Sequence, residues 1–375
     1  MPKKFTLSEL KALLNKEHCI YIKPNASNGN FEIYIRTENE SAATLIAISY
    51  DYKNELFEGL SSNNFDGISF AEYSELKVNQ IGFFEFKKPE AVDSQGISSI
   101  QCRFTKEEYI NTYNQIQKEL AFGNIYEINF CIEHYAENAQ INSLNTFFNL
   151  WDIAQSPYSC YLKIGSKHLI CGSPESYIVR KGQKLISQPM KGTRKRSKDH
   201  VADELLKQEL KENIKERSEN TMIVDLVRND LSKVAERGSV SVEELCEVKS
   251  FKTIHQMIST VSCELKESVT WKHIVDATFP MGSMTGVPKK SALKIIENFE
   301  KTKRGIFSGT VGLIESNGDF DINVVIRSIV YNEENNYLSI QTGSAITLLS
   351  NALEEYEECI EKAQPMFKAL GIKNG

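Results

Sequence analysis

The 375-residue chain is 41% hydrophobic and 25% charged, an ordinary globular composition with ample material for a core. A net charge of −6 and a pI of about 5.7 weigh against a general polyanion binder, and the one basic run lacks the interleaved aromatic side chains of a nucleic-acid surface. No run approaches the roughly 20 apolar residues of a membrane span. The eight cysteines show no CxxC spacing and the N-terminus has no apolar signal core, so the reading is a reduced, cytoplasmic protein that binds neither nucleic acid nor membrane.

Residues 1–98 alternate short strand-like runs ("FEIYIRTE", "ATLIAISYD", "IGFFEFKK") with Asn/Ser-rich turns and read as an N-terminal subdomain of a larger unit; residues 99–375 read as the catalytic region. "TKEEYINTYNQIQKELAFG" opens with a threonine cap and an acidic first turn, carries apolar residues at helical spacing, and stops at Gly123. "NIYEINFCIEHY" alternates with period 2 and predicts a strand. Further strands are expected in "YLKIGSKHLICGS", "ESYIVRKGQKLISQP", "FSGTVGLIES", "DINVVIRSIVYN" and "NYLSIQTGSAITL". Helices are expected at about 199–218, 219–236, 253–265, 272–278, 288–300 and 351–370. Hairpin signals such as "ESNGDF" favour antiparallel pairing, and grouped strands and helices favour an α+β fold.

Several residues could carry chemistry. Glu216 and Glu219 in "KERSEN", and Glu355 and Glu358 in "EEYEEC", lie three apart and so share helix faces. Each pair reads as a solvated helix face or as oxygen donors for a hard cation such as Mg2+. "FPMGSMTGVPKKSALKII" is a small-residue loop feeding a proline-capped helix, or an anion nest. Gly343 in "QTGSAITLL" marks a tight bend or a close approach to a ligand. Glu175 enters an apolar strand, where burial would raise its pKa and suit it to general-acid work. Arg327 interrupts "INVVIRSIV" and needs a carboxylate, internal or from a substrate. Lys191 sits beside Gly192 in a loop with Arg194, Lys195 and Arg196.

In this order, "GSPE" (172–175), "PMKGTR" (189–194), "ENTMIVDLVRNDL" (219–231), "FPMGSMTGVPKKSA" (279–292), "SGTVGLIESNGDFDINVVIRS" (308–328) and "EYEECIEKA" resemble the chorismate-utilising enzymes over roughly residues 104–370. The resemblance implies a single α+β unit of two packed antiparallel-rich sheets, a sandwich with surrounding helices and a site in the cleft between sheets. It also sorts the reaction. Lysine before Gly-Thr is the residue of the aminating branch, the aminodeoxychorismate synthases, where anthranilate, isochorismate and salicylate synthases carry alanine. Glu127 stands where isochorismate and salicylate synthases carry a water-activating lysine, and where the family as a whole usually has glutamine.

The implied activity is amination of chorismate at C4 through a covalent intermediate on Lys191, toward 4-aminobenzoate and folate. Ammonia would come from a separate glutamine amidotransferase subunit. The alternatives are anthranilate synthase component I and a silent homologue that only docks the amidotransferase. By resemblance Glu175 is the acid/base carboxylate and His255 lies near the reacting ring edge. Glu219 and Glu358 would hold Mg2+ with support from Glu216 and Glu355. Arg327 and Tyr337 would bind the enolpyruvyl carboxylate; Gly343, Ser344, Thr285, Gly286 and Thr193 would complete the substrate contacts. As a nucleophile Lys191 must be neutral, against an ordinary pKa of about 10.4, and burial with neighbouring cations is expected to lower it. Ala345 and Thr285 replace a common glycine and a common serine of the family.

Overall fold

Period-2 alternation carries most of the chain into strands, and capping residues fix where the helices begin. The computed structural model describes residues 3–25, 30–38, 43–58, 60, 71, 73–86, 97, 99–251 and 254–372. The expected α+β architecture is present, antiparallel throughout except for one short parallel pairing of Lys3–Phe5 with Tyr73–Phe84. The strands form one continuous hydrogen-bonded path that folds into two facing layers.

The first layer runs Glu127–Ala136, Tyr337–Ile346, Ser328–Asn332, Lys167–Ser173, Tyr158–Ile164, Cys19–Pro24, Phe31–Arg36 and Tyr73–Phe84. Ala43–Ile48 continues the path from Tyr73–Phe84 into the second layer. That layer proceeds through Thr310–Glu315, Phe320–Asn323, Ser176–Lys181, Lys184–Ser187 and Ile254–Glu264, the last flanked by Met190–Lys195 and Ser241–Ser250. Tyr21, Leu162, Leu169 and Val330 of one layer pack against Leu45, Ala47 and Val311 of the other, all buried. Burial of each of these leucines and valines contributes ~1.5–3 kcal/mol.

Helices cover the outer faces. Leu7–Lys16, Ser143–Ala154 and Ala352–Ala369 bury apolar residues on the first layer; Ile214–Ser232 and Trp271–Thr278 do so on the second. Helix Lys106–Ala121 begins as its sequence implies. Thr105 Oγ1 accepts from the Glu108 amide at 3.2 Å, Glu108 returns the bond at 2.8 Å, and Gly123 follows the end at φ 76°. Such a cap is worth ~0.5–2 kcal/mol.

Two expectations change. The helices near 199–236 break at Asn213 rather than after 218: Asn213 ends His200–Glu212 and caps Ile214–Ser232 by accepting from the Glu216 amide at 3.0 Å. Glu216 and Glu219 thereby fall in the first two turns of one helix. The expected helix 253–265 is the strand Ile254–Glu264, with residue 253 outside the described residues. From Met257 to Cys263 every residue of this strand is buried, the polar Ser259, Thr260 and Ser262 included, so its polarity does not follow the alternation that would distinguish it from a helix.

Candidate active site

The two ends of the strand path meet around a cavity of about 840 Å³. Met190–Lys195 and Ile254–Glu264 form one wall; Asn129 and Gly343, from paired strands, form the other. Ile214–Ser232 brings Lys215, Glu216 and Glu219, and Ala352–Ala369 brings Glu355, Glu358 and Lys362. Glu175, Arg327 and Thr193 also line it.

The basic run is a strand, not a loop. Its register against Ile254–Glu264 slips between Lys191 and Thr193, where Gly192 takes φ 70°. The positive φ favours glycine, and a Cβ at Gly192 would lie 2.8 Å from Leu210 Cδ1 and 2.9 Å from Glu216 Oε2, so both side chains would have to give way to a larger residue. Lys191 is largely buried at the seam. Its Nζ donates to Glu127 Oε1 at 2.5 Å and stands 4.0 Å from Glu219 Oε2.

The expectation of a lowered lysine pKa is overturned. Burial disfavours the ammonium, but Glu127 and Glu219 outweigh it and hold Lys191 well above the ordinary lysine range. The neighbouring cations do not act on it as expected: Arg194 pairs with Glu209 and Glu216, and Arg196 with Asp203 at 2.6 Å. Glu127 belongs to the site, in contact with Lys191 across 64 residues of sequence.

Glu175 is buried and accepts from Ser283 Oγ at 2.9 Å. Burial pushes its carboxyl up to about 7, against the opposing pull of Ser283, Lys191 and Lys362. It can therefore hold a proton near neutral pH and release it, as a general acid requires.

The four glutamates gather in the cavity, each with a chain cation close by. Lys215 Nζ donates to Glu355 Oε1 at 2.9 Å and lies 4.0 Å from Glu219 Oε1. Lys362 pairs with Glu358 at 2.6 Å and donates to the Gly343 carbonyl at 2.8 Å. Burial disfavours the Glu358 charge, yet Lys362 keeps its carboxyl below the usual range. Burial raises Glu219 to about 7, and its Oε1, like Glu127 Oε2, is buried without a hydrogen-bond partner among the described residues. No three metal-ligating side chains converge among the described residues. The donor chemistry still suits a hard divalent cation: carboxylate oxygens on two facing helices, one of them buried and unsatisfied.

Arg327 sits at φ 50°, and burial lowers its guanidinium despite Glu358. No ion pair to it is made among the described residues, so it faces the cavity as a desolvated cation suited to a carboxylate. Gly343 admits the close approach: a Cβ there would meet Cys131 Sγ at 2.5 Å and Asn129 Oδ1 at 2.6 Å. Thr193 Oγ1 donates to Gln256 at 2.8 Å on the cavity wall.

Five expected residues stand elsewhere. His255 points to the face of its strand opposite Ile254 and Gln256; its nitrogens contact Asp203 Oδ1 at 3.0 Å and Ser250 Oγ at 2.9 Å. The Tyr337 hydroxyl is engaged with Arg103 at 2.8 Å and Glu133 at 3.2 Å, and its ring stacks on Tyr135. Alternation turns Ser344 away from Gly343 and Ala345, onto the Tyr109 hydroxyl at 3.1 Å. Thr285 is buried and bonds the Met281 carbonyl at 2.9 Å. Gly286 pairs with Ile128, where a Cβ would strike the Glu127 carbonyl at 2.2 Å. It braces the strand that carries Glu127. Lys215, Lys362 and Ser283 are the residues that sequence reasoning missed; Lys215, four before Glu219, and Lys362, four after Glu358, each gave a local signal.

Residues 44–368 match the family described as chorismate binding enzyme. Aminodeoxychorismate synthase component 1 of Bacillus subtilis is 32% identical over 306 residues, covering 80% of this chain and 64% of that protein. The chloroplastic aminodeoxychorismate synthase of Arabidopsis thaliana is 36% identical over 280 residues, 74% of this chain but 30% of that protein. The chain thus spans less than two thirds of the length of these relatives. Anthranilate synthase component I from Streptococcus pneumoniae superposes with a TM-score of 0.76 at 21% identity, over 92% of this chain and 89% of that one.

Proposed function

Because the chain belongs to the chorismate binding enzymes, we propose that it aminates chorismate at C4 to 4-amino-4-deoxychorismate with Lys191 as the covalent nucleophile. One observation carries the reading: a buried lysine amine at a carboxylate-lined cavity, in 2.5 Å contact with the Glu127 carboxylate. An ammonium has no lone pair, so Lys191 must first lose a proton against the pull of Glu127 and Glu219 that keeps it charged at rest, and Glu127 is the acceptor in contact with it. The amine attacks C2, both double bonds of the ring diene shift one position, and the C4–O bond breaks. Glu175 gives its proton to the departing oxygen, which leaves as water. Ammonia then attacks C4, the C2–Nζ bond breaks with the reverse shift, and Lys191 is released as the amine. The proton shed by the new amino group returns to Glu175. Arg327 holds the side-chain carboxylate of the substrate and fixes its orientation.

Glu219 and Glu358 would hold Mg2+, with Glu216 and Glu355 in support. Bound there, the ion would supply the positive charge that meets the ring carboxylate. Ammonia would reach the site from a glutamine amidotransferase subunit; the "component 1" of the relatives' names fits such a division.

The test is trapping. After incubation with chorismate and Mg2+ but no ammonia, mass spectrometry of the peptide containing Lys191 should show an adduct of chorismate less one water. Lys191→Ala should abolish it. Turnover to aminodeoxychorismate with Lys191 never modified would overturn the mechanism, and anthranilate as the sole product with ammonia would assign the sister activity.

A further inference from the structure

The reading above gives the cavity cation Lys215 no task. Lys215 shares helix Ile214–Ser232 with Glu216 and Glu219, yet its Nζ reaches across to Ala352–Ala369, donating to Glu355 Oε1 at 2.9 Å. On its other side lies Glu219 Oε1, 4.0 Å away and without a hydrogen-bond partner among the described residues. Glu219 and Glu355 are both buried, whereas the Lys215 side chain keeps a third of its surface exposed. It therefore has a route to solvent that the two carboxylates lack.

We propose that Lys215 is an internal stand-in for the divalent cation: its ammonium bridges the two glutamate helices when no metal is bound and swings out when metal enters. This rests on the magnesium reading of the four glutamates. The argument is one of charge and space. Two facing carboxylates, nearly stripped of water, repel each other unless a cation lies between them. The chain supplies one on a flexible four-carbon stem. An ion that takes Glu219 Oε1 and Glu355 must compete with this ammonium, and both cannot occupy the same few ångströms. That competition also accounts for the absence of a converged set of three ligands among the described residues: the carboxylates are spread around lysine amines. Lys215 would thus set how tightly the metal is held, and keep the helices in place between turnovers.

The experiment compares the unaltered protein with Lys215→Met and Lys215→Arg by isothermal titration calorimetry with MgCl2, alone and with chorismate, and by thermal unfolding with and without Mg2+. Removing the ammonium that the ion must displace from Glu219 and Glu355 should tighten Mg2+ binding on the order of five- to tenfold in Lys215→Met. Lys215→Arg, which keeps the charge, should bind no tighter than the unaltered protein. Without metal Lys215→Met should melt below the unaltered protein, and saturating Mg2+ should close the gap. Equal or weaker Mg2+ affinity in a folded Lys215→Met would overturn the proposal and leave the metal reading intact. No Mg2+ binding to any of the three proteins, even with chorismate present, would remove both.

Discussion

Glu175→Gln isolates the most consequential burial in the site. The carboxyl stands at about 7 in the folded protein against an ordinary 4.5. That displacement is worth about 3 kcal/mol between the neutral and charged forms. The sign follows from linkage. Between pH 4.5 and about 7 the folded protein holds a proton that the unfolded chain has released, so this residue makes stability fall as pH rises through that window. The cost is complete above about 7 and absent well below 4.5. Glutamine is neutral at every pH and can still accept from Ser283. Urea unfolding of both proteins should therefore give similar stability near pH 4, and a variant more stable by up to about 3 kcal/mol near pH 8. Chorismate amination should drop by ~10²–10⁴-fold, as for loss of a general acid. Parallel stability–pH curves would refute the buried-acid argument. Full activity in the variant would refute the role of Glu175 even if the stability difference appeared.

Three further outcomes are expected. Arg327→Met should raise the chorismate KM by roughly 10–100-fold, the loss of a charge-assisted contact, while unfolding stability holds or rises because a desolvated charge has gone; an unchanged KM in steady-state kinetics would place the substrate carboxylate elsewhere. Gly192→Ala must take φ 70° with its Cβ 2.8 Å from Leu210 and should lose ~1–3 kcal/mol in denaturant titration along with most adduct formation on Lys191; a neutral effect on both would show the bulge to be dispensable. His255→Ala should leave the Lys191 adduct in mass spectra while lowering stability by ~1–3 kcal/mol through the lost packing of a buried ring and its contacts to Asp203 and Ser250, and loss of the adduct in a folded variant would restore His255 to the reaction.

Local signals were legible where the chain carries its own punctuation. Thr105 and Glu108 mark a helix start, and the i,i+3 glutamates place two carboxylates on each of two helices without any knowledge of the fold. The pairing partners of those residues were not legible, because they come from distant segments. Glu127 and Lys191 are neighbours only after the strand path has folded over, and so the sequence suggests a lysine surrounded by cations where the structure shows one held by carboxylates. His255 was misjudged for a related reason. On a strand buried from both sides, alternation of polarity vanishes and with it the means of telling which residues face the cavity. The same holds for Ser344 beside Gly343, one residue and one face apart.

Among the described residues the strand path does not close on itself by backbone hydrogen bonds, yet the Lys191–Glu127 contact joins its two ends through side chains. Four links in the middle of that path, Cys19–Pro24, Phe31–Arg36, Tyr73–Phe84 and Ala43–Ile48, come from the first hundred residues. Deleting them would not trim an appendage. It would remove the hydrogen-bonded strand path between the segment carrying Lys191 and the segment carrying Glu127, the arc of the hoop opposite its clasp. Chemistry at the clasp therefore reports on the integrity of the strands farthest from it.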